Sequence, residues 1–132
     1  EESKDWDWNS PYWRNLGAPW GGAHGSAPDV ARFLNSFLNP DGKVVKEATA
    51  RKIIKDHNQG LDTRRGVGFV MGPIGFGKHC SDQSFGHGGS TGTLAWADPE
   101  TNSSCVILTS LPARKSRSLI LNPVSDLVSG GV

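Results

Sequence analysis

The chain has 132 residues, enough for one compact domain that buries roughly 65% of the surface its unfolded form exposes. Lys plus Arg of 14 against Asp plus Glu of 13 leave a net charge of +1 with no basic block or acidic tail, which argues against nucleic acid as a partner. No apolar run is long enough to span a bilayer, and the opening Glu-Glu-Ser-Lys-Asp has none of the character of a secretory leader. Two cysteines, Cys80 and Cys105, allow one disulfide or none and do not fix the compartment; they read as free thiols. The 17 glycines and 8 prolines punctuate periodic segments instead of gathering in one tract, which favours a loop-rich folded domain over disorder.

Residues 1–25 hold Trp6, Trp8, Tyr12, Trp13 and Trp20 among Pro11, Gly17, Pro19, Gly21, Gly22 and Gly25. With neither helical nor strand period, this reads as an extended segment whose aromatics fill gaps in a core. Residues 26–60 read as helical. "SAPDVARFLNSFLNPDG" has Ser26 as N-cap, Asp29 at the capping-box position and an apolar stripe of Val30, Phe33, Leu34, Phe37 and Leu38. A weaker helix runs from about Lys46 to His57, with Ala50, Ile53 and Ile54 inward, Lys52 and Lys55 outward, and Gly60 as its stop.

From Gly66 the pattern turns to strands: "GVGFVMG", "SFGHGGSTGTLAWA" and "SSCVILTS", the last two joined by a turn at residues 98–102. The final hairpin is apolar on both faces, so it needs a cover on each. One cover is a C-terminal helix with Asn122 as N-cap and Pro123 at its first position, carrying Val124, Leu127 and Val128 and stopping at Gly130. The other is the Ser26 helix or a second chain. The fold class expected is α+β, an antiparallel sheet of about three strands with flanking helices.

"GPIGFGKH", Gly72 to His79, fits the G-x-x-x-x-G-K pattern of a phosphate loop but has His79 where a magnesium-binding hydroxyl belongs, and no helix can follow it. It reads as a flexible loop between strands. His79, Cys80, Asp82 and His87 have poor spacing for a metal, and no metal or cofactor is expected. His24 and His57 read as surface or hydrogen-bonded residues.

"GHGGSTG" carries more chemistry. On a strand, His87 and Gly89 face one way and Gly88 and Ser90 the other, and paired glycines let another backbone approach. A substrate amide or ester lying along this edge would pair with it while a main-chain N–H meets its carbonyl oxygen. A bulge or a sharp bend explains the glycines equally well.

"FGHGGSTGTLAWADPETNSSCVILTS" closely resembles the third-motif region of the serine β-lactamase and penicillin-binding family, in the branch of class C β-lactamases, D-alanyl-D-alanine carboxypeptidases and β-lactamase-like esterases. "LGAPWGGAHGSAPDVARFLNSFLN" is similar to an upstream segment of the same proteins, a Gly-Gly turn leading into a helix. The resemblance implies a partial β-lactamase/transpeptidase-like fold, a single domain over residues 1–132 that corresponds to roughly the C-terminal 35–40% of a family domain. It also implies roles. His87-Gly88-Gly89 occupies the K-T-G or H-x-G motif, so His87 faces the pocket, Gly88 and Gly89 lie against the substrate, and the backbone N–H of Ser90 is one of two oxyanion-hole donors. Histidine in place of lysine removes a permanent cation, which weakens the case for a carboxylate-bearing β-lactam and favours an esterase or peptidase.

The family's nucleophile is the serine of an S-x-x-K motif, which these 132 residues lack, and the only tyrosine, Tyr12, is not in a Y-x-N motif. The chain is therefore expected to be a truncated or fragmentary serine hydrolase, inactive alone. The alternative is a non-catalytic binding or oligomerisation module. The strand holding Cys105 would become an exposed edge, so the expected partner is a second copy or a complementing N-terminal fragment. A third arrangement, with Ser90, Ser26 or Ser84 as nucleophile to His87, has no acidic residue placed to orient the imidazole.

Overall fold

The computed structural model describes residues 10–131, so Trp6 and Trp8 lie outside the described residues. One antiparallel sheet runs in the order β1 (Val70–Met71), β2 (Phe85–Gly89), β3 (Thr93–Asp98), β4 (Ser103–Leu108), with helices on both faces. The α+β class is as expected, but the sheet has four strands. The stretch from Ser84 to Ala97 is two strands, not one, because Gly92 adopts φ 80° in a turn at residues 90–92. A side chain at Gly92 would also collide with the Leu111 carbonyl, so only glycine closes this hairpin. The turn after β3 falls at residues 99–102 as expected, with Asn102 left-handed at φ 51°.

Alternation along β3 and β4 sorts the core into two layers. Ala95, Ala97, Val106, Phe85 and Met71 face helices α2 (Ala27–Leu38) and α3 (Glu47–Ile53), where they meet Leu34, Phe37, Leu38 and Ala50. Phe37, Phe69 and Phe85 stack edge to face there, with centroids 5.3 and 5.1 Å apart. Leu94, Trp96, Cys105 and Ile107 face the opposite layer with Phe76, Cys80 and Leu121. Both covers of the hairpin thus come from this chain. Helix α2 has the expected capping box, Asp29 N–H to Ser26 Oγ at 3.4 Å and Ser26 N–H to Asp29 Oδ2 at 3.1 Å. Of its expected stripe, Leu34, Phe37 and Leu38 are buried while Phe33 is half exposed.

Four local expectations are corrected. The first 25 residues are not all extended: Pro11–Leu16 is a short helix, α1, with Ser10 accepting from Trp13 N–H at 3.2 Å and Gly17 ending it left-handed. Trp13 is buried, but Tyr12 and Trp20 are exposed. Helix α3 stops at Ile53 and not near His57, because the Ile53 carbonyl accepts from Val67 N–H (2.9 Å) and the Lys52 carbonyl from the His57 ring (2.7 Å). The loop over residues 72–79 is fastened, not free. Lys78 N–H donates to Asp126 at 2.8 Å, His79 N–H to Ser129 Oγ at 3.3 Å, and a side chain on Gly77 would strike Ser125 and Ser129.

The last correction concerns the C-terminal helix. It begins at Ala113, with α4 (Ala113–Ser116) passing through a π-helical segment (Arg117–Leu121) into α5 (Asn122–Ser129). Asn122 is helical, not a cap, and its N–H reaches the Arg117 carbonyl. Pro123 explains the widened turn: proline has no N–H for the carbonyl four residues back, and its ring would clash there. The π insertion rotates the helix, so Leu121 and Ser125 face the sheet while Val124, Leu127 and Val128 are exposed. The buried contact is polar, Trp96 Nε1–H to Ser125 Oγ at 2.6 Å.

Candidate active site

The feature that defines the site is an incomplete pairing along β2. Strand β3 pairs with all of it, from Phe85 opposite Ala97 to Gly89 opposite Thr93. On the other side β1 reaches only Phe85 and Gly86. His87, Gly88 and Gly89 therefore present an open edge, with His87 and Gly88 exposed.

The glycines of β2 differ in why they are glycine. At Gly86 a side chain would run into the Ala95 carbonyl and the Trp96 backbone, so packing demands glycine there. At Gly89 it would meet the Thr93 hydroxyl. At Gly88 it would meet nothing closer than the Thr93 carbonyl at 3.6 Å and a Leu94 methyl at 3.9 Å, which is ordinary contact. The register runs unbroken through these residues, so there is no bulge, and Gly88 is not left-handed. Fold alone gives no reason for a missing side chain at Gly88.

Ser90 lies in the turn after β2 and not on the strand. Its carbonyl accepts from Ala113 N–H at 3.0 Å, which ties the turn to the start of α4, while its own N–H makes no hydrogen bond among the described residues. His87 places Nδ1 2.7 Å from its neighbour's Gly88 carbonyl and Nε2 3.4 Å from Arg65 Nη1. Arg65 was not among the residues singled out from the sequence. It is 22 positions away and carries no motif; only the pairing of β1 with β2 brings it near.

Behind the edge, two carboxylates fasten the approaching chain. Asp98, fully buried at the end of β3, accepts from Ser81 N–H, Ser81 Oγ and Glu100 N–H at 2.6, 2.6 and 3.0 Å. Asp56 accepts from Asn58 N–H at 2.9 Å, Arg65 N–H at 3.2 Å and Arg64 Nε at 3.3 Å. These bonds, the Asn58 N–H foremost, hold its carboxyl below the ordinary carboxylate range.

No serine hydroxyl is bonded to His87 among the described residues. Ser26 Oγ serves its capping box, and Ser84 is buried with its hydroxyl donating to the Ser81 carbonyl at 2.8 Å. The described residues contain no cluster suited to a metal ion. Cys80 is buried and unpaired in the layer beneath α5, and the backbone carbonyl of Asp82 accepts from Arg64 Nη1 at 3.0 Å. His24 and His57 are exposed and hydrogen-bonded to nearby carbonyls. No described helix is long and apolar enough to cross a membrane.

Among solved structures, a crystal structure of a β-lactamase from Mycobacterium bovis matches 80% of this chain and 44% of its own, with a TM-score of 0.70 and 24% sequence identity. The chain thus spans less than half the length of that structure. Comparison with curated proteins gives no match. The family model described as Beta-lactamase matches residues 1–125, which is nearly the whole chain, and the chain belongs to the Beta-lactamase family.

Proposed function

We propose that the chain supplies one wall of a serine acyl-transfer pocket, acting on an ester, peptide or β-lactam carbonyl, with the nucleophile outside these 132 residues. The observation that carries this reading is the open edge of β2, where Gly88 lacks a side chain without a packing reason and Ser90 N–H has no partner among the described residues. A substrate lying along His87–Gly89 meets this edge through its own acceptors, since the Gly88 carbonyl is already taken by the His87 ring. Its carbonyl oxygen then meets the Ser90 N–H as one of two oxyanion donors, a contact whose loss typically costs about 10²- to 10³-fold in rate. Gly88 and Gly89 keep that approach free of side chains, and His87 holds the bound group at the pocket's rim.

No S-x-x-K occurs in the chain, so a fluorophosphonate or a fluorescent penicillin should leave its mass unchanged. The protein encoded by the full reading frame should take up label at an S-x-x-K serine. Covalent labelling of any serine in the 132-residue chain by itself would overturn this reading.

A second reading, an assembly module, rests on a different observation. Strand β4 is an outer strand of the sheet among the described residues, and Leu108 at its end is exposed. An apolar strand edge invites pairing by a second copy or by a complementing segment of a longer chain. A monodisperse monomer in light scattering would remove this reading.

A further inference from the structure

Both ring nitrogens of His87 are engaged, and the two contacts together fix where its hydrogen is. Nδ1 lies 2.7 Å from the Gly88 carbonyl, and Nε2 lies 3.4 Å from Arg65 Nη1. A carbonyl only accepts and a guanidinium only donates, so Nδ1 carries the hydrogen and Nε2 offers its lone pair. No second hydrogen fits on Nε2, where it would face the guanidinium's own. Arg65 comes to that nitrogen through the sheet. Its N–H donates to Asp56 at 3.2 Å, its carbonyl accepts from His57 N–H at 2.7 Å, and it bridges Val70, which pairs with Gly86 next to His87. These anchors are all backbone bonds, so the side chain can be exchanged without loosening them. Arg64 is spent on Asp56 at 3.3 Å and on the Asp82 carbonyl at 3.0 Å, whereas Arg65 makes no ion pair among the described residues.

We infer that Arg65 is a positioning residue for the open edge of β2, keeping His87 as the Nδ1–H ring that closes the Gly88 carbonyl. The His87 ring is exposed, so its hydrogen bond to the adjoining residue competes with water. Water both donates and accepts, and by itself it leaves either nitrogen free to hold the hydrogen. A partner at Nε2 that can only donate removes that freedom. It also pins the ring at two points, which reduces the side-chain entropy the edge would otherwise keep. The consequence for substrate rests on the acyl-transfer reading; the ring chemistry does not. A substrate along the edge finds no open acceptor at Gly88 and meets His87 through the faces of the ring, with neither ring nitrogen left open to it.

The test uses the ¹⁵N-labelled chain as it stands, at pH 8, above the ordinary imidazole range. Two-bond ¹H–¹⁵N correlation spectra distinguish the tautomers of His87, and the buried Trp96 indole N–H reports an intact core in each variant. The unsubstituted chain should show Nδ1–H. Arg65→Ala should move most of the population to Nε2–H or into exchange between the two forms. Arg65→Lys, also a donor only, should restore part of the Nδ1–H form, and Arg65→Glu, an acceptor only, should bring a hydrogen onto Nε2. N-methylacetamide and N,N-dimethylacetamide, which differ by one N–H, probe the Gly88 carbonyl through the Gly88 and Ser90 amide shifts. The two should act alike on the unsubstituted chain, and the first should be favoured roughly 2- to 10-fold in Arg65→Ala, the effect of one neutral hydrogen bond. An Nε2–H ring in the unsubstituted chain overturns the inference, whatever the variants do. So does an Nδ1–H ring that survives Arg65→Ala, or equal action of the two amides on that variant. None of these results involves a nucleophilic serine, so the acyl-transfer reading stands or falls separately, by labelling.

Discussion

Gly86 and Gly88 are two residues apart on one strand, and replacing each with alanine separates what the fold needs from what the pocket needs. At Gly86 the added methyl would meet the Ala95 carbonyl and the Trp96 backbone, neither of which can rotate away. Relief requires β2 and β3 to separate in the middle of the sheet, so Gly86→Ala should cost about 1–3 kcal/mol or more, as overpacking in a core does. For a chain of this size that lowers the unfolding midpoint by roughly 4 °C per kcal/mol. At Gly88 the methyl has ordinary contacts at 3.6 and 3.9 Å and replaces a glycine whose backbone is not left-handed. The unfolded chain then loses freedom that the folded chain does not use, and Gly88→Ala should raise stability by about 0.4–1 kcal/mol. Calorimetry or far-ultraviolet circular dichroism on the two variants measures both changes. In the full-length protein, Gly88→Val should slow acylation by a fluorescent penicillin while the fold survives, because the side chain stands where substrate backbone would lie. If Gly88→Ala unfolds as readily as Gly86→Ala, the glycine serves packing and the argument for a substrate edge collapses.

Three further outcomes follow from the layer beneath α5. Ser125→Ala leaves the buried indole N–H of Trp96 without its 2.6 Å acceptor and should cost about 1–3 kcal/mol, with part regained in the Trp96→Phe, Ser125→Ala double variant; urea unfolding of the four proteins closes the cycle. Burial pushes the Cys80 thiol up to about 11, with the Gly77 hydrogen bond opposing it and the charges of Asp98, Cys105 and Asp126 adding to it. Iodoacetamide at pH 8 should therefore alkylate the folded chain slowly, about one thiol in a thousand being thiolate, and the urea-unfolded chain quickly. Because the folded value lies above the ordinary thiol value of 9.0, this thiol's contribution to stability is intact below about pH 9 and is lost as pH rises toward 11. Cys80→Ala should flatten that part of the urea-midpoint profile.

Much of the architecture was legible in the sequence where local chemistry and periodicity agree. The capping box at Ser26 and Asp29, the alternation of Leu94 to Ala97 and Cys105 to Leu108, and the turn after Asp98 all follow from residue type and spacing. The failures arose where a non-local contact decides. Gly92 splits one apparent strand into two by turning left-handed where Leu111 and Ser116 leave no room for a side chain, and neither is near it in sequence. Pro123 reads as a helix start, yet upstream packing of Leu121 carries the helix through it by widening one turn. In the site, His87, Gly88 and Ser90 were visible because they share one short motif. Arg65 was not, because an arginine outside a motif is usually a solvated surface residue, and only sheet topology brings it to His87.

The same topology explains how an edge built largely of glycine can be ordered. Gly88 and Gly89 contribute no side-chain packing of their own, so the position of the strand must be set from its two ends. At the entry, Asp98 grips Ser81 through backbone and hydroxyl, and Ser84 closes the turn that leads into Phe85. At the exit, Gly92 N–H bonds to the Gly89 carbonyl at 3.1 Å, and Ala113 N–H ties the Ser90 carbonyl to the first turn of α4. Asp56 does the same for Arg65 on the flank. The carbonyls of this edge are therefore engaged by the chain itself, at Gly88 by the His87 ring, at Gly89 by the turn and at Ser90 by α4. The Ser90 N–H is left free among the described residues. A strand end whose acceptors are occupied and whose terminal donor is open favours a ligand that brings an acceptor, and a carbonyl oxygen gathering negative charge is the acceptor that gains most from a donor held in place beforehand.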